Sequence, residues 1–418
     1  MGSLIVEGGH RLQGEIIVGG AKNMALKAIA AAVLSSDTMT LHRVPEIEDV
    51  KRQLEILEHL GATVVREERG SYTINTSAMR GGMLPNEIVA KLRASIVLTG
   101  PILGRFGEVA IAHPGGCKIG RRPIDLFLRG FRALGAEVEE HTGVAYRLRA
   151  KRLRGTRLVF PTVSVTVTET MMLAAVLAEG KTELVNAALE PEIPALAEYL
   201  NAQGARIHGA GTPTISIEGV DSIRAGTITM IPDRIEAGSF AIIGAATGSH
   251  LKITHCEPRH FEVLLDALRE AGVEITVGSD FVEVMSKREL RAVPVTTHGY
   301  PGFVTDFQSA MTVLLTQAHG NSLVHETIFE GRLFFTDTLN QMGADITLCD
   351  PHRAIVRGPT PLEGRTIESP DARAGLALLL AALVARGTST IQNVYQIDRG
   401  YERLDERLAA LGAKVKRG

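Results

Sequence analysis

The sequence contains no tryptophan, and aromatic residues make up only 4% of it. Small and aliphatic side chains must therefore fill most of the interior. Three cysteines, Cys117, Cys256 and Cys349, lie too far apart to form a CxxC metal pair, and an odd count does not suit a disulfide scaffold. The most apolar stretch, GLALLLAALVA from Gly375 to Ala385, falls well short of the roughly 20 residues a membrane span needs. A core helix is expected there, and no membrane insertion. Neither sign of charge dominates: 45 Lys+Arg against 47 Asp+Glu leave a net charge of -2, which argues against binding nucleic acid. No P-loop, no GxGxxG after a first strand and no histidine cluster is present, so ATP, NAD and zinc chemistry lack support. The opening MGSLIVEGGHRLQG has no basic segment ahead of a long apolar run, so no signal peptide is expected and the location is read as cytoplasmic.

What the sequence does have is glycine, 43 in 418 residues, with 45% hydrophobic and 22% charged residues. That is a globular composition, long enough for two or three domains. A short phrase recurs six times as LGATV, LGAEV, QGARI, AGVEI, MGADI and LGAKV, its glycines being Gly61, Gly135, Gly204, Gly272, Gly343 and Gly412. Successive spacings are 74, 69, 68, 71 and 69 residues. Each phrase closes an amphipathic helix: VKRQLEILEHLG places Leu54, Leu57 and Leu60 at helical spacing, and Gly61 supplies a left-handed cap. The residues that follow turn β-like, as in VEITV. A second recurrent element, an Ala/Leu-rich helix, a small-residue turn and a strand, lies upstream, as in AAVLAEGKTELVNA. Each repeat therefore reads as strand–helix–strand–helix–strand–strand. Six such units predict an α/β fold of two domains with three units each, the crossing falling near Met230. Stacking as a solenoid is the competing arrangement. A cleft between two domains would be the default place for a ligand.

Four islands interrupt the repeats. In VGGAKNMAL, Lys22 and Asn23 stand at a helix start, where an anion can be held, although a lysine there is often simply solvated. In HPGGCKIGRRPIDLF, Cys117 follows two glycines among Lys118, Arg121 and Arg122, cations that favour a reactive thiol. Cys256 and Cys349 are read as core residues instead. In PGFVTDFQSAM, Asp306 is either a functional carboxylate or a helix cap. The last island combines SPDARAGLAL, with Asp371 and Arg373, and QIDRGYERLDERL, with Asp398 and Arg399. Together they suggest a site with several cations, one thiol and acceptor carboxylates.

GGAKN, KLRASI, PGGCKIGRRPIDL, PDRIEAG, FVTDFQ, PDARAG and IDRGYERLDERLAALGA, in this order over essentially the whole chain, resemble the enolpyruvyl transferases. The resemblance implies a two-domain inside-out α/β barrel of six βαβαββ units, helices inside and sheets outside. It places residues 22–230 in an N-terminal domain that carries the Cys117 loop, and 1–21 with 231–418 in a C-terminal domain. It implies transfer of enolpyruvate from phosphoenolpyruvate to the 3′-hydroxyl of UDP-N-acetylglucosamine, the first committed step of peptidoglycan synthesis, with no metal and no cofactor.

By the same resemblance Cys117 is the general acid and a target of fosfomycin-type epoxides. Lys22, Arg122 and Arg399 hold phosphoenolpyruvate. Asp306 accepts the hydroxyl proton, and Asn23 contacts sugar or intermediate. The nucleotide-sugar falls to Arg93, to Arg122, Pro123, Ile124, Asp125 and Leu126, to Thr162, Val163, Ser164 and Val165, and to Ile328, with Asp371 and Arg373 in support. Three positions depart from the family's usual residues: Thr166 for glycine, Phe127 for histidine and Gly19 for serine. The competing readings are a related enolpyruvyl transferase acting on shikimate 3-phosphate, against which Cys117 speaks, and a non-catalytic nucleotide-sugar binder.

Overall fold

The structure is a computed structural model that describes residues 2–116, 119–141, 145–286 and 289–418. Each of the six recurrent glycines ends its helix as the sequence requires. Gly61, Gly135, Gly204, Gly272, Gly343 and Gly412 have φ between 87° and 110°, where a Cβ would be strained. The hydrogen bonds repeat with them. Gly61 N–H donates to Glu58 O at 3.0 Å and Ala62 N–H to Leu57 O at 2.9 Å, and the equivalent pair recurs at Gly412 and Ala413. This cap turns the chain sharply, so that each helix is followed directly by an edge strand.

Among the described residues the strands form six four-stranded sheets on one plan, a parallel pair at one edge followed by two antiparallel pairs. The chain divides into two compact units. One comprises Gly20–Gly116 and Arg122–Ile231, the other Met1–Gly19, Cys117–Arg121 and Pro232–Gly418. In the first unit the strand Thr227–Thr229 returns to pair in parallel with Thr38–His42. In the second, Leu4–Glu7 lies between Thr388–Gln392 and Lys414–Arg417, and Gln13–Ile17 pairs in parallel with His250–Thr254. The first residues of the chain thus complete two sheets whose other strands lie more than two hundred residues away.

Within each unit the helices are buried and the sheets lie outside them. Arg234–Ala246 is buried along its whole length, and it packs with Thr305–Thr316 and Ala372–Val384 around one apolar core. Lys22–Ala31, Thr99–Phe106 and Val165–Ala175 are the corresponding helices of the other core. Alanine, glycine and leucine make up most of Ala372–Val384, and glycines at contact points of the other helices let backbones approach closely. A Cβ on Gly100 would fall 2.5 Å from Thr170 O, and one on Gly238 2.4 Å from the Phe307 ring. Three helices packed on one another exclude the solenoid arrangement.

Two expectations differ from the structure. The segment of Ile119, Gly120 and Arg121, expected with residues 22–230, groups with the other unit. Gly331 N–H donates to Ile119 O at 3.0 Å and Arg121 N–H to the Glu330 carboxylate at 2.7 Å, which ties it there. Cys256 is buried as expected, with its thiol pushed up to about 11, chiefly by burial. Cys349, expected in the core, is exposed. Side chains along Asp345–Asp350 alternate from the buried Ile346, which leaves Cys349 on the outward side with Thr347.

Candidate active site

In the first unit, Lys22 is the first residue of its helix, capped by Ala21 with no side-chain hydrogen bond. Its ammonium lies 2.8 Å from the largely buried Asp49 carboxylate on Glu48–His59. A helix start plus a fixed ammonium is an anion-holding arrangement. Asn23 is the next helical residue.

Arg93 begins the turn Arg93–Leu98, and its guanidinium donates to the carbonyls of Pro114 and Pro123 at 3.2 Å each, and to that of Arg122. Burial and the neighbouring Arg122 bring its pKa down to about 10. Arg93 therefore braces both stems of the segment that carries Cys117. Gly115 and Gly116 complete the brace. A Cβ on Gly115 would fall 1.7 Å from Ala90 O, and one on Gly116, at φ +123°, 2.9 Å from Arg122 Nη2. Cys117 itself lies outside the described residues.

Ile124 is buried and precedes the helix Asp125–Ala133, whose Phe127 enters the core while Asp125 stays exposed. Ser164 caps Val165–Ala175 by accepting from Val167 N–H, and Thr162 and Val163 are exposed just before it. Thr166, standing where glycine is usual, sits in the first helical turn, and its carbonyl accepts from Thr170 Oγ1 at 2.7 Å. Ordinary helical backbone explains why a non-glycine fits. The two helices pack through Gly130, whose absent side chain leaves room for Met171 Sδ.

In the second unit, Asp306 is not a cap. Val304 holds the cap position of Thr305–Thr316, and the Asp306 carboxylate instead accepts from Arg373 Nε at 2.6 Å. Burial would raise its pKa, but Arg373, Arg332 and Arg234 together hold it well below the usual carboxylate range. It is ionised at every working pH, a firm hydrogen-bond acceptor and a weak base. Asp371 caps Ala372–Val384, accepting from Arg373 N–H at 2.9 Å and Ala374 N–H at 3.2 Å, which orients Arg373 at its root. Arg399 is buried, with one amino group on Gln396 Oε1 at 3.0 Å. Ile328 is 43% exposed, an apolar surface beside these charges.

Four further residues order this cluster. Glu326 has no exposure and accepts from Ile328 N–H at 2.8 Å, Phe329 N–H at 3.1 Å, Thr297 Oγ1 at 3.1 Å and Thr305 Oγ1 at 2.8 Å. It therefore ties the Ile328 turn to the residue beside Asp306. Arg332 donates to Thr305 O at 3.1 Å, Arg234 faces Tyr300, and Tyr401 bonds Arg373. Only Arg234 and Tyr401 fall within the sequence strings singled out above. Glu326 and Arg332 sit on an ordinary strand end and turn, with nothing in their spacing to mark them.

A mixed α/β chain with a helix-start lysine, a braced glycine loop and a carboxylate held by arginines narrows the field. Comparison with known proteins completes it: the family model for EPSP synthase (3-phosphoshikimate 1-carboxyvinyltransferase) matches residues 6–408. The chain belongs to this enolpyruvyl transferase family.

The chain is 43% identical over 417 residues to the UDP-N-acetylglucosamine 1-carboxyvinyltransferase of Desulforapulum autotrophicum, with both chains covered completely. It is 44% identical to the protein of that name from Magnetococcus marinus, covering 100% of this chain and 99% of the other. It is 45% identical to UDP-N-acetylglucosamine 1-carboxyvinyltransferase 2 of Bacillus anthracis, covering 100% and 97%. Among solved structures, the enolpyruvyl transferase NikO from Streptomyces tendae superposes with a TM-score of 0.90 at 26% identity, covering 100% and 98%. An EPSP synthase from Acinetobacter baumannii, at 18% identity and TM-score 0.76 with both chains fully covered, shares the fold.

The helix Lys22–Ala31 also carries an ion pair that sequence reading missed. Lys27 Nζ lies 3.1 Å from Glu169 Oε2, and both side chains are buried. Burial lifts the Glu169 pKa to about 7 against the pull of Lys27, with Glu192 and Glu190 adding to the rise. The folded state thus holds this proton more tightly than the unfolded chain does. Stability therefore falls as pH rises from about 4.5 to about 7 and levels off above, by roughly 2–4 kcal/mol at 1.4 kcal/mol per pKa unit. Denaturant melts at pH 5 and pH 8 check this. Glu169→Gln flattens the difference, and parallel wild-type and variant curves would count against it.

Proposed function

We propose that this chain transfers the enolpyruvyl group of phosphoenolpyruvate to the 3′-hydroxyl of UDP-N-acetylglucosamine, releasing phosphate. The observation that carries the reading is full-length identity of 43–45% to relatives that bear the corresponding name. The place is the cytoplasm and the process the first committed step of peptidoglycan synthesis.

The chemistry accounts for the residue types. A proton adds to the methylene carbon of phosphoenolpyruvate, leaving an oxocarbenium-like centre that the sugar hydroxyl attacks while losing its own proton. Loss of a methyl proton and of phosphate from the resulting ketal restores the double bond. Cys117 is the proton donor and can bond covalently to the same carbon. Lys22, Arg122 and Arg399 neutralise phosphate and carboxylate. Asp306 receives the hydroxyl through a hydrogen bond. Because Arg373 makes it a weak base, the proton moves only as the new C–O bond forms and the hydroxyl becomes acidic.

Arg93 acts through the loop that it braces, with Asn23 and Ile328 contacting sugar or intermediate. The segments 122–126 and 162–165 receive the nucleotide. Asp371 and Arg373 orient Asp306. No residue is assigned to a metal or cofactor.

Phosphate release measured with each substrate alone and with both tests the reading. Release that needs both supports it; release only with shikimate 3-phosphate in place of the nucleotide-sugar, or tight nucleotide-sugar binding without turnover, sinks it. Lys22→Ala raises the KM for phosphoenolpyruvate by about 10- to 100-fold, the worth of a hydrogen bond to a charged group. Unchanged donor affinity in a titration of the variant would remove Lys22 from that role.

A further inference from the structure

Tyr401 has a hydroxyl that packing does not explain. The side chain is 1% exposed, and phenylalanine would fill the same volume. Its oxygen lies 2.9 Å from Arg373 Nη1 and 3.1 Å from Ser239 Oγ. Ser239 Oγ is also 2.7 Å from Ile235 O, and a carbonyl can only accept. The single serine proton is therefore spent on Ile235 O. It follows that Tyr401 O–H donates to Ser239 Oγ, and that the tyrosine oxygen accepts from Arg373. The direction of every bond in the chain is fixed: Asp306 accepts from Arg373, which donates also to Tyr401, which donates to Ser239, which donates to the backbone of the first turn of Arg234–Ala246.

This chain gives Arg373 two acceptors on different nitrogens of its guanidinium, Asp306 through Nε and Tyr401 through Nη1. The position next to Tyr401 is Gly400, where a Cβ would come 3.6 Å from Arg373 Nη1 and 3.3 Å from Ala372 Cβ. A side chain there would touch the guanidinium at an ordinary contact distance and press slightly on Ala372. Arg373 rises from the capped first turn of Ala372–Val384, and three buried helices thus meet at one hydrogen-bond line. A guanidinium on a flexible stem is held by one carboxylate only loosely, whereas a second fixed acceptor sets its plane.

We propose that Tyr401 is a positioning residue for the transfer step, fixing the Arg373 guanidinium so that Asp306 presents its carboxylate to the substrate hydroxyl in one orientation. This rests on the reading of Asp306 as the acceptor of that hydroxyl. Arg373 keeps its charge without Tyr401, so substrate binding is unaffected and the effect falls on turnover.

Steady-state kinetics of Tyr401→Phe, alone and combined with Asp306→Asn, test this. The expected result is a kcat lowered about tenfold, with the KM for both substrates within twofold of wild type and an unchanged circular-dichroism spectrum. In the Asp306→Asn background the same change lowers kcat by less than twofold, because the orientation it sets no longer matters. Wild-type kcat in Tyr401→Phe overturns the proposal, as does an undiminished tenfold loss in the Asp306→Asn background. Wild-type turnover in Asp306→Asn itself sinks the reading of Asp306 instead. Ser239→Ala, which removes the acceptor at the far end of the line, lowers kcat in the same pattern and carries the test if the phenylalanine variant is unstable.

Discussion

Cys117→Ser lowers the rate of phosphate release by about three orders of magnitude across the pH range, while Cys117→Asp loses a similar amount near pH 7 and regains much of it as pH falls toward 4. A general acid contributes roughly 10²–10⁴-fold, and its contribution follows how readily it gives up a proton. A thiol ionises near pH 8.5, so near neutrality it is protonated and still acidic enough to donate. A serine hydroxyl is a far weaker acid and donates only at great cost. A carboxyl is a good donor but ionises near pH 4, so at pH 7 only about one molecule in a thousand carries the proton. The neighbouring cation Arg122 deepens that deficit, because it favours the ionised form.

The aspartate variant therefore gains activity as pH falls toward 4, opposite to the approach of the thiol to its own limit at high pH. It also resists fosfomycin-type epoxides, which need a soft nucleophile to open them. Initial rates of the three proteins across pH 4–9 decide the matter. If serine and aspartate lose equal activity at every pH, Cys117 is not the proton donor.

Much of the architecture was legible because it is written six times. A left-handed glycine after an amphipathic helix is a local requirement, and each of the six glycines meets it with the same backbone hydrogen bonds. Repetition made a weak signal specific. The grouping of residues 119–121 was not legible, because it depends on Glu330 and Gly331, some two hundred residues away. Cys349 was misread for a different reason: a buried cysteine was expected by residue type, although alternation from the buried Ile346 puts it outward with Thr347.

The site shows the same division. Asp306 and Arg373 could be singled out as charged residues at the starts of apolar helices, but not as partners, since 67 positions separate them. Their pairing turns Asp306 from a possible cap into an ionised acceptor. Arg93 was expected on the substrate, yet its guanidinium grips carbonyls on both stems of the Cys117 segment. Such a role is visible only once the turn at Arg93 and the carbonyls at Pro114 and Pro123 are neighbours. Glu326 shows the limit most plainly. A carboxylate on a strand end reads as solvated, and four donors gather on it only in the folded chain.

The two glycines ahead of Lys22 respond unequally to the same change: Gly20→Ala costs about 3–5 kcal/mol, whereas Gly19→Ala costs less than about 1 kcal/mol. A Cβ on Gly20 would stand 1.7 Å from Arg43 O and 2.9 Å from Met230 Cβ. Neither is the loose end of a side chain, so backbone has to move. The movement is opposed by Ala21 N–H on Ile231 O at 2.8 Å and Met230 N–H on His42 O at 3.0 Å, which fasten the same three strands of chain together. A Cβ on Gly19 meets only the Glu236 carboxylate, at 3.6 and 3.8 Å, an ordinary contact. Gly19 N–H already donates to that carboxylate at 2.9 Å, and the serine usual at this position would fit the same space.

A loss of 4 kcal/mol in a unit of about 200 residues lowers its melting temperature by about 8–16 °C. Calorimetry of the two variants beside wild type measures the contrast, and the Gly20 variant also loses affinity for phosphoenolpyruvate, because Lys22 moves with the backbone two residues before it. Equal melting temperatures for the two variants would show that the Arg43 carbonyl yields freely, and the close approach at Gly20 would then fix nothing.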